Sequence, residues 1–266
     1  MEQRKTGPAP TADEAFSDRP QEDIIAGRNA VAEALRAGRA IDSVLLAKGD
    51  RAGSISALAA QCRRKVLLVK EVDSRKLDAL CGPNHQGIAA LAACKETVTL
   101  DELFAAAEAK GEPPFFVVCD ELEDPHNLGA ILRTAETAGV HGVVIPKRRS
   151  AGLTSAVYKA SAGAVEYVPV ARVSNITDAL REMKKRGVWV YGLDMDGETW
   201  CSVDMKGAAA VVVGSEGRGI SRLVKEQCDF IVSLPMRGHI TSLNASVACG
   251  IVLYEAARQR QGLAAK

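Results

Sequence analysis

The chain has 266 residues, 47% of them hydrophobic, and a formal net charge of +1. That is enough apolar material for a small and a medium domain, and too little charge to hold nucleic acid by charge alone. No apolar run reaches the roughly 18 residues that a membrane span needs, and the polar, proline-containing start lacks a signal peptide's apolar core, so a soluble, cytoplasmic protein is expected. The seven cysteines form no C-x-x-C pair, which argues against both a disulfide framework and a zinc site; no metal is expected.

Residues 1–21 combine three prolines with polar and charged residues and read as a disordered tail, because they cannot bury enough surface to offset chain entropy. Residues 22–94 then alternate: helices at 28–37, 55–64 and 75–80, and strands at 41–47, 66–69 and 88–93. This is a small α/β/α unit. Residues 22–95 hold 12 Lys+Arg against 8 Asp+Glu, whereas 96–266 hold 19 against 21, so a polyanion-facing surface is biased toward the front. A helix at 100–109 followed by Gly111-Glu-Pro-Pro114 makes 95–114 a linker. From 115 to 266 the pattern predicts strands at 115–119, 142–145, 165–170, 188–192, 209–213 and 230–234. Helices are predicted at 128–138, 154–160, 176–186, 220–227 and 243–259. Strands that are almost wholly apolar and separated by helices imply an α/β fold, with a parallel sheet covered on both faces.

Three segments follow such strands, where loops at the carboxyl ends of a parallel sheet offer free backbone groups to ligands. The first is Asp124-Pro-His-Asn-Leu-Gly-Ala-Ile-Leu-Arg133, with Asn127 at an expected helix N-cap and Arg133 sharing a helix face with Ala130 and Thr137. A capped, tightly packed helix with one exposed arginine is the plainer reading. The second, Gly214-Ser-Glu-Gly-Arg-Gly219, has the wrong glycine spacing for a dinucleotide fingerprint and no P-loop lysine. Glu216 would moreover repel a phosphate. The third, Leu234-Pro-Met followed by Ser242-Leu-Asn-Ala-Ser246, opens the last helix, where Ser242 and Asn244 can cap backbone N–H groups.

Taken together, the three segments resemble the signature motifs of the SpoU, or TrmH-like, RNA ribose 2′-O-methyltransferases of the SPOUT superfamily. Ile25-Ala-Gly-Arg-Asn-Ala-Val31 and His85-Gln-Gly87 resemble the substrate-binding extension of members acting on a guanosine of 23S ribosomal RNA. The resemblance implies a SPOUT-type parallel-sheet domain with a deep C-terminal trefoil knot, behind a ribosomal-protein-like RNA-binding domain. It also implies S-adenosylmethionine as cofactor, held at Gly214, Leu234 and Leu243 and beside them Gly217, Met236 and Ala245. Arg133 is implied at the reacting hydroxyl, with Asn127, Glu216, Ser242 and Asn244 shaping the site. A homodimer through the C-terminal domain is implied as well. Arg28, Asn29, Arg63, Arg64, Lys65, His85 and Gln86 are candidate RNA contacts. Transfer RNA is the alternative substrate, and a non-catalytic RNA-binding protein of the same fold is the alternative activity.

Overall fold

The protein is described by a computed structural model over residues 24–49 and 53–263; the tail expected at 1–21 lies outside the described residues. The chain divides into two compact units, Met1–Cys94 and Lys95–Lys266.

In the first unit, β1 (Ile24–Ala26), β2 (Ile41–Ala47), β3 (Leu68–Val72) and β4 (Ile88–Ala92) form a sheet in the order β1-β4-β2-β3. β4 runs antiparallel to both β1 and β2, and β3 is parallel to β2. Helices α1 (Arg28–Arg36), α2 (Gly53–Arg64) and α3 (Ser74–Cys81) follow β1, β2 and β3, so all three helices start at one end of the sheet. The all-apolar Ile88-Ala-Ala-Leu-Ala92 is buried at every residue, as its place inside the sheet requires. β1 was not foreseen, since three residues carry no readable period and only pairing with β4 defines it. β3 begins at Leu68 rather than 66 because Val66 takes a left-handed φ of 59° and is 91% exposed, ending α2 in a turn.

The second unit carries β5 (Phe115–Cys119), β6 (Gly142–Pro146), β7 (Val170–Val173), β8 (Trp189–Thr199), β9 (Ala209–Val213) and β10 (Phe230–Ser233). All pairs are parallel, in the order β10-β8-β9-β5-β6-β7. Its helices are α4 (Leu100–Ala109), α5 (Pro125–Thr137), α6 (Ser155–Ala160), α7 (Ile176–Lys185), α8 (Arg222–Lys225) and α9 (Ala245–Arg260). Phe116, Val118, Val144, Ala210 and Val212 project from the sheet into one core with Leu103, Leu180 and Met183 from α4 and α7.

Residues 95–114 belong to this unit rather than forming a linker. Thr99 and Glu102 close a capping box at the start of α4, Leu103 is fully buried in the core, and Val98 bridges to Ala171. The strand expected at 165–170 is instead a 3-10 turn, Ala164–Glu166, and pairing begins only at Val170. Pro169 has no N–H to give the ladder, so the strand starts after it. The helix expected at 220–227 contracts to the single turn α8. Beyond 192, β8 continues to Thr199 through an irregularity opposite β10, where Ile231 pairs with Gly192 and Val232 with Glu198.

Strand order places the site. The chain moves from β5 outward to β6 and β7, then returns beyond β9, so the loops after β5 and β9 leave adjacent strands at the point where direction reverses. In open parallel sheets that crevice receives the ligand.

Candidate active site

Helix α5 starts from the loop after β5. Asp124 is its N-cap, with Oδ1 accepting the His126 N–H at 2.9 Å, and Pro125 occupies the first turn. Asn127, expected as the cap, is therefore the third residue of the helix and only 3% exposed. Its amide is free for other partners. Gly129 faces α6, where an added Cβ would lie 2.4 Å from the Ala160 Cβ; the small residue lets the two helices approach.

The Asn127 amide meets two groups distant in sequence. Its Nδ2 donates to Glu216 Oε1 at 2.8 Å, and Asn244 Nδ2 donates both to that oxygen at 2.6 Å and to Asn127 Oδ1 at 2.8 Å. Asn244 is the N-cap of α9, with Oδ1 accepting the N–H groups of Ser246 at 2.9 Å and Val247 at 3.3 Å. The cap fixes which end of the Asn244 amide is the donor, and that choice orients Asn127 in turn. Glu216 Oε1 thus takes two donors, while Oε2 has no protein donor among the described residues. The carboxylate staples the start of α5, the loop after β9 and the start of α9.

The loop carrying Glu216 is closed on itself. Ser215 N–H donates to the Gly219 carbonyl at 3.1 Å and Gly219 N–H to the Ser215 carbonyl at 2.9 Å. Gly217 and Gly219 hold left-handed φ values of 83° and 65°, which a side chain would resist. Asp120, 4% exposed at the end of β5, accepts the Ser221 N–H at 2.7 Å and pins the loop's exit. Sequence reasoning missed Asp120, because a lone aspartate after a strand reads as solvated. A cleft of about 220 Å³ beside the staple is lined by Glu121, Glu123, Asp124, Asn127, Glu216 and Arg218, among others.

Residues 234–243 make no backbone–backbone hydrogen bonds among the described residues. Met236 and Leu243 are 37% and 42% exposed, Leu234 is half-buried, and Ala245 is buried. Free peptide groups next to uncovered apolar side chains suit a ligand with a polar rim and an aromatic face, such as an adenosine. Ser242 is exposed and lies outside the Asn127–Glu216–Asn244 staple.

Arg133 is not brought to that staple. It lies six residues beyond Asn127 on α5, about 9 Å along the axis and about 120° around it, and its side chain is exposed.

The first unit separates its candidate RNA contacts into two groups. At the end where α1 begins, the Arg28 N–H donates to Gln86 Oε1 at 3.0 Å and Arg28 Nη1 to Ser54 Oγ at 3.1 Å, beside an exposed Asn29. Arg63, Arg64 and Lys65 stand at the other end, where α2 stops, with Lys65 Nζ on the Leu35 carbonyl at 2.7 Å. His85 departs from its expected role. It is 7% exposed, its Nδ1 accepts the Gly87 N–H at 2.9 Å, and its Nε2 lies 3.3 Å from Asp78, so it holds the loop that presents Gln86.

Comparison with known proteins agrees with both units. Residues 114–254 match the SpoU rRNA Methylase family, and residues 24–98 match the RNA 2′-O ribose methyltransferase substrate binding family. The chain belongs to the SpoU methylase family. It is 48% identical over 241 residues to YacO of Bacillus subtilis, a protein named as a TrmH family tRNA/rRNA methyltransferase, covering 90% of this chain and 97% of that one. A solved RNA 2′-O ribose methyltransferase superposes with a TM-score of 0.75 at 26% identity, over 90% of this chain and 88% of that one. An AdoMet-bound rRNA methyltransferase from Sinorhizobium meliloti gives 0.72 at 25% identity, over 91% and 88%. This SpoU methylase therefore has the α/β fold of its family, and its class is that of the RNA methyltransferases. In this SpoU methylase the three motif segments meet through Asn127, Glu216 and Asn244, the contact their separation in sequence conceals.

Proposed function

We propose that this SpoU methylase transfers the methyl group of S-adenosylmethionine to a ribose 2′-hydroxyl, on a guanosine of large-subunit (23S) ribosomal RNA. The observation that carries the reading is the Asn127–Glu216–Asn244 staple, which leaves Glu216 Oε2 open next to the cleft. A purely binding protein has no need of a carboxylate held by two amides with one oxygen free.

The residues present fit the cofactor. Backbone groups of residues 234–243 have no main-chain partners among the described residues, and Leu234, Met236, Leu243 and Ala245 offer apolar contact. Gly214 lets Gly219 and Ile220 close the loop against it, and the space beside Gly217 is open. When bound, S-adenosylmethionine supplies an electrophilic methyl group. This chain would then align the 2′-oxygen and relieve it of its proton as the C–O bond forms and the methyl–sulfur bond breaks, leaving S-adenosylhomocysteine. Glu216 Oε2, the adjoining phosphate or water accepts that proton. A guanidinium offers only hydrogen-bond donors, so Arg133 acts by gripping the phosphate next to the reacting ribose; Ser242 and Asn244 shape the pocket around it.

Because Arg133 faces away from the staple of its own chain, a second copy is the natural source of the guanidinium. α9 packs on α5 and leaves Val247 and Tyr254 50% and 54% exposed, which supports a homodimer through this unit. Likeness to the SpoU structures supports the knotted passage of the C-terminal loops. In the first unit, Arg28, Asn29 and Gln86, together with Arg63, Arg64 and Lys65, would meet RNA. No helix among the described residues is long and apolar enough to cross a membrane, which accords with work in the cytoplasm.

Transfer RNA is the second reading, favoured by the tRNA/rRNA naming of relatives such as YacO. The two separate on mapping 2′-O-methyl positions in RNA from cells with and without the gene. Loss of one guanosine mark from 23S RNA is expected. Loss of a transfer RNA mark instead moves the substrate, and loss of neither contradicts the proposal.

A further inference from the structure

The loop after β6 carries Lys147, Arg148 and Arg149, and β7 beside it carries Arg172 opposite Ile145. Lys147 N–H donates to the Val173 carbonyl at 2.8 Å, and Arg172 Nη2 reaches the Lys147 carbonyl at 3.3 Å. Four exposed cations therefore form one ridge over the carboxyl ends of β6 and β7. Adjacent strands lie about 5 Å apart, so the ridge stands one and two strands away from the end of β5, where the cleft opens.

Two observations set this ridge apart from an ordinary solvated charge run. The unit as a whole is slightly acidic over 96–266, with 19 basic against 21 acidic residues, and many of its cations are engaged. Arg181 pairs with Asp178, Lys184 with Asp229, Arg186 with Glu182, Lys225 with Asp194 and Arg258 with Glu255. Lys147, Arg148 and Arg172, by contrast, have no carboxylate partner among the described residues. Leaving like charges together and unpaired costs stability unless an anion answers them.

The second observation is that the ridge is fastened to the cleft wall. Arg149 Nη1 pairs with Glu121 at 3.1 Å, and the Ala151 N–H donates to the Leu122 carbonyl at 2.8 Å. Glu121 and Arg149 both hold left-handed φ values, 50° and 56°, conformations that non-glycine residues keep only when their surroundings impose them. The wall itself carries Glu123 and Asp124 beside the Glu121–Arg149 pair, with Arg218 also lining the cleft. The ridge thus offers a nucleic-acid backbone cations without carboxylate partners, one and two strands from the cleft.

We infer that Lys147, Arg148 and Arg172 are further phosphate contacts of the methyltransferase unit, beyond the one given to Arg133, and hold the RNA strand so that a ribose enters the cleft beside Glu216. The inference rests on the RNA-methylating function proposed above and assigns it a second RNA surface, separate from the candidates of the first unit. Arg149 serves the wall through its ion pair and is a positioning residue.

The test is RNA affinity as a function of salt, using protein-free large-subunit ribosomal RNA and unfractionated transfer RNA, with the full-length protein. The variants are Lys147→Ala/Arg148→Ala/Arg172→Ala and, as the mildest case, Arg148→Ala alone. Each lost phosphate contact makes the slope of log affinity against log salt shallower by about 0.7 to 0.9, so the triple variant is expected to lose about 2 to 3 units of slope. The KM for RNA should rise at least about 10-fold, with kcat at saturating RNA and S-adenosylmethionine affinity unchanged. Slope and KM equal to wild type overturn the ridge alone, as does a raised KM with an unchanged slope. A wild-type protein without salt-dependent RNA affinity overturns the ridge and the proposed function together.

Discussion

Gly214→Ala is expected to destabilise the second unit by about 3 kcal/mol, the upper end of what forced overpacking costs, and to abolish S-adenosylmethionine binding. A Cβ at this position would lie 2.0 Å from the carbonyl carbon of Gly219, 2.1 Å from its oxygen and 2.3 Å from the Ile220 nitrogen. These are backbone atoms, so no rotamer change can relieve the clash. Gly219 cannot retreat without breaking its two hydrogen bonds to Ser215, and the next residues are held by the bond from Ser221 to Asp120. The loop must open, and Glu216 then leaves the two asparagines. Gly217→Ala is the control: nothing lies within 4 Å of its added Cβ, and only its φ of 83° is unfavourable, a cost of about 1 to 2 kcal/mol. Urea denaturation and calorimetry with S-adenosylmethionine read both effects. A Gly214→Ala protein with wild-type midpoint and cofactor affinity would contradict this account of the loop.

Arg133→Ala acts in the opposite way. The side chain is exposed, so stability should stay within about 0.5 kcal/mol of wild type, and cofactor binding should be kept. Turnover, however, should fall by about 100-fold or more, the scale of losing a group that orients the reactants. Arg133→Lys should recover little, because an ammonium lacks the planar fork that grips phosphate with two parallel hydrogen bonds. Mixing Arg133→Ala with Glu216→Ala should regain activity if each site draws its guanidinium from a second copy, since a mixed dimer contains one intact site. Near-wild-type turnover of Arg133→Ala rejects its assignment, and failure of the mixture rejects the shared site.

Much of the second unit is readable from sequence because its strands are short, wholly apolar runs bounded by turn residues. Phe115–Cys119 and Ala209–Val213 form as expected for that reason. Readings fail where a tertiary partner decides. Asn127 resembles a cap until Asp124 and Pro125, just upstream, are seen to take the helix start. Val165, Val168 and Val170 look like a strand, yet Pro169 delays pairing. Residues 95–114 look like a linker because the Gly-Glu-Pro-Pro sequence hides how deeply Leu103 packs. For the site, the residue types were legible in Asn127, Glu216 and Asn244. Their mutual hydrogen bonds span separations of 89, 117 and 28 residues, which no local pattern encodes. Arg133 shows the converse, a motif residue that its own chain leaves apart from the others.

The most direct measurement is the chemical position of the transferred methyl group. Purified protein is incubated with methyl-labelled S-adenosylmethionine and protein-free ribosomal RNA, and the RNA is digested to nucleosides and analysed by mass spectrometry. The label is expected in 2′-O-methylguanosine. Label on a base, or no label in any RNA tested, would contradict ribose methylation at the Asn127–Glu216–Asn244 site.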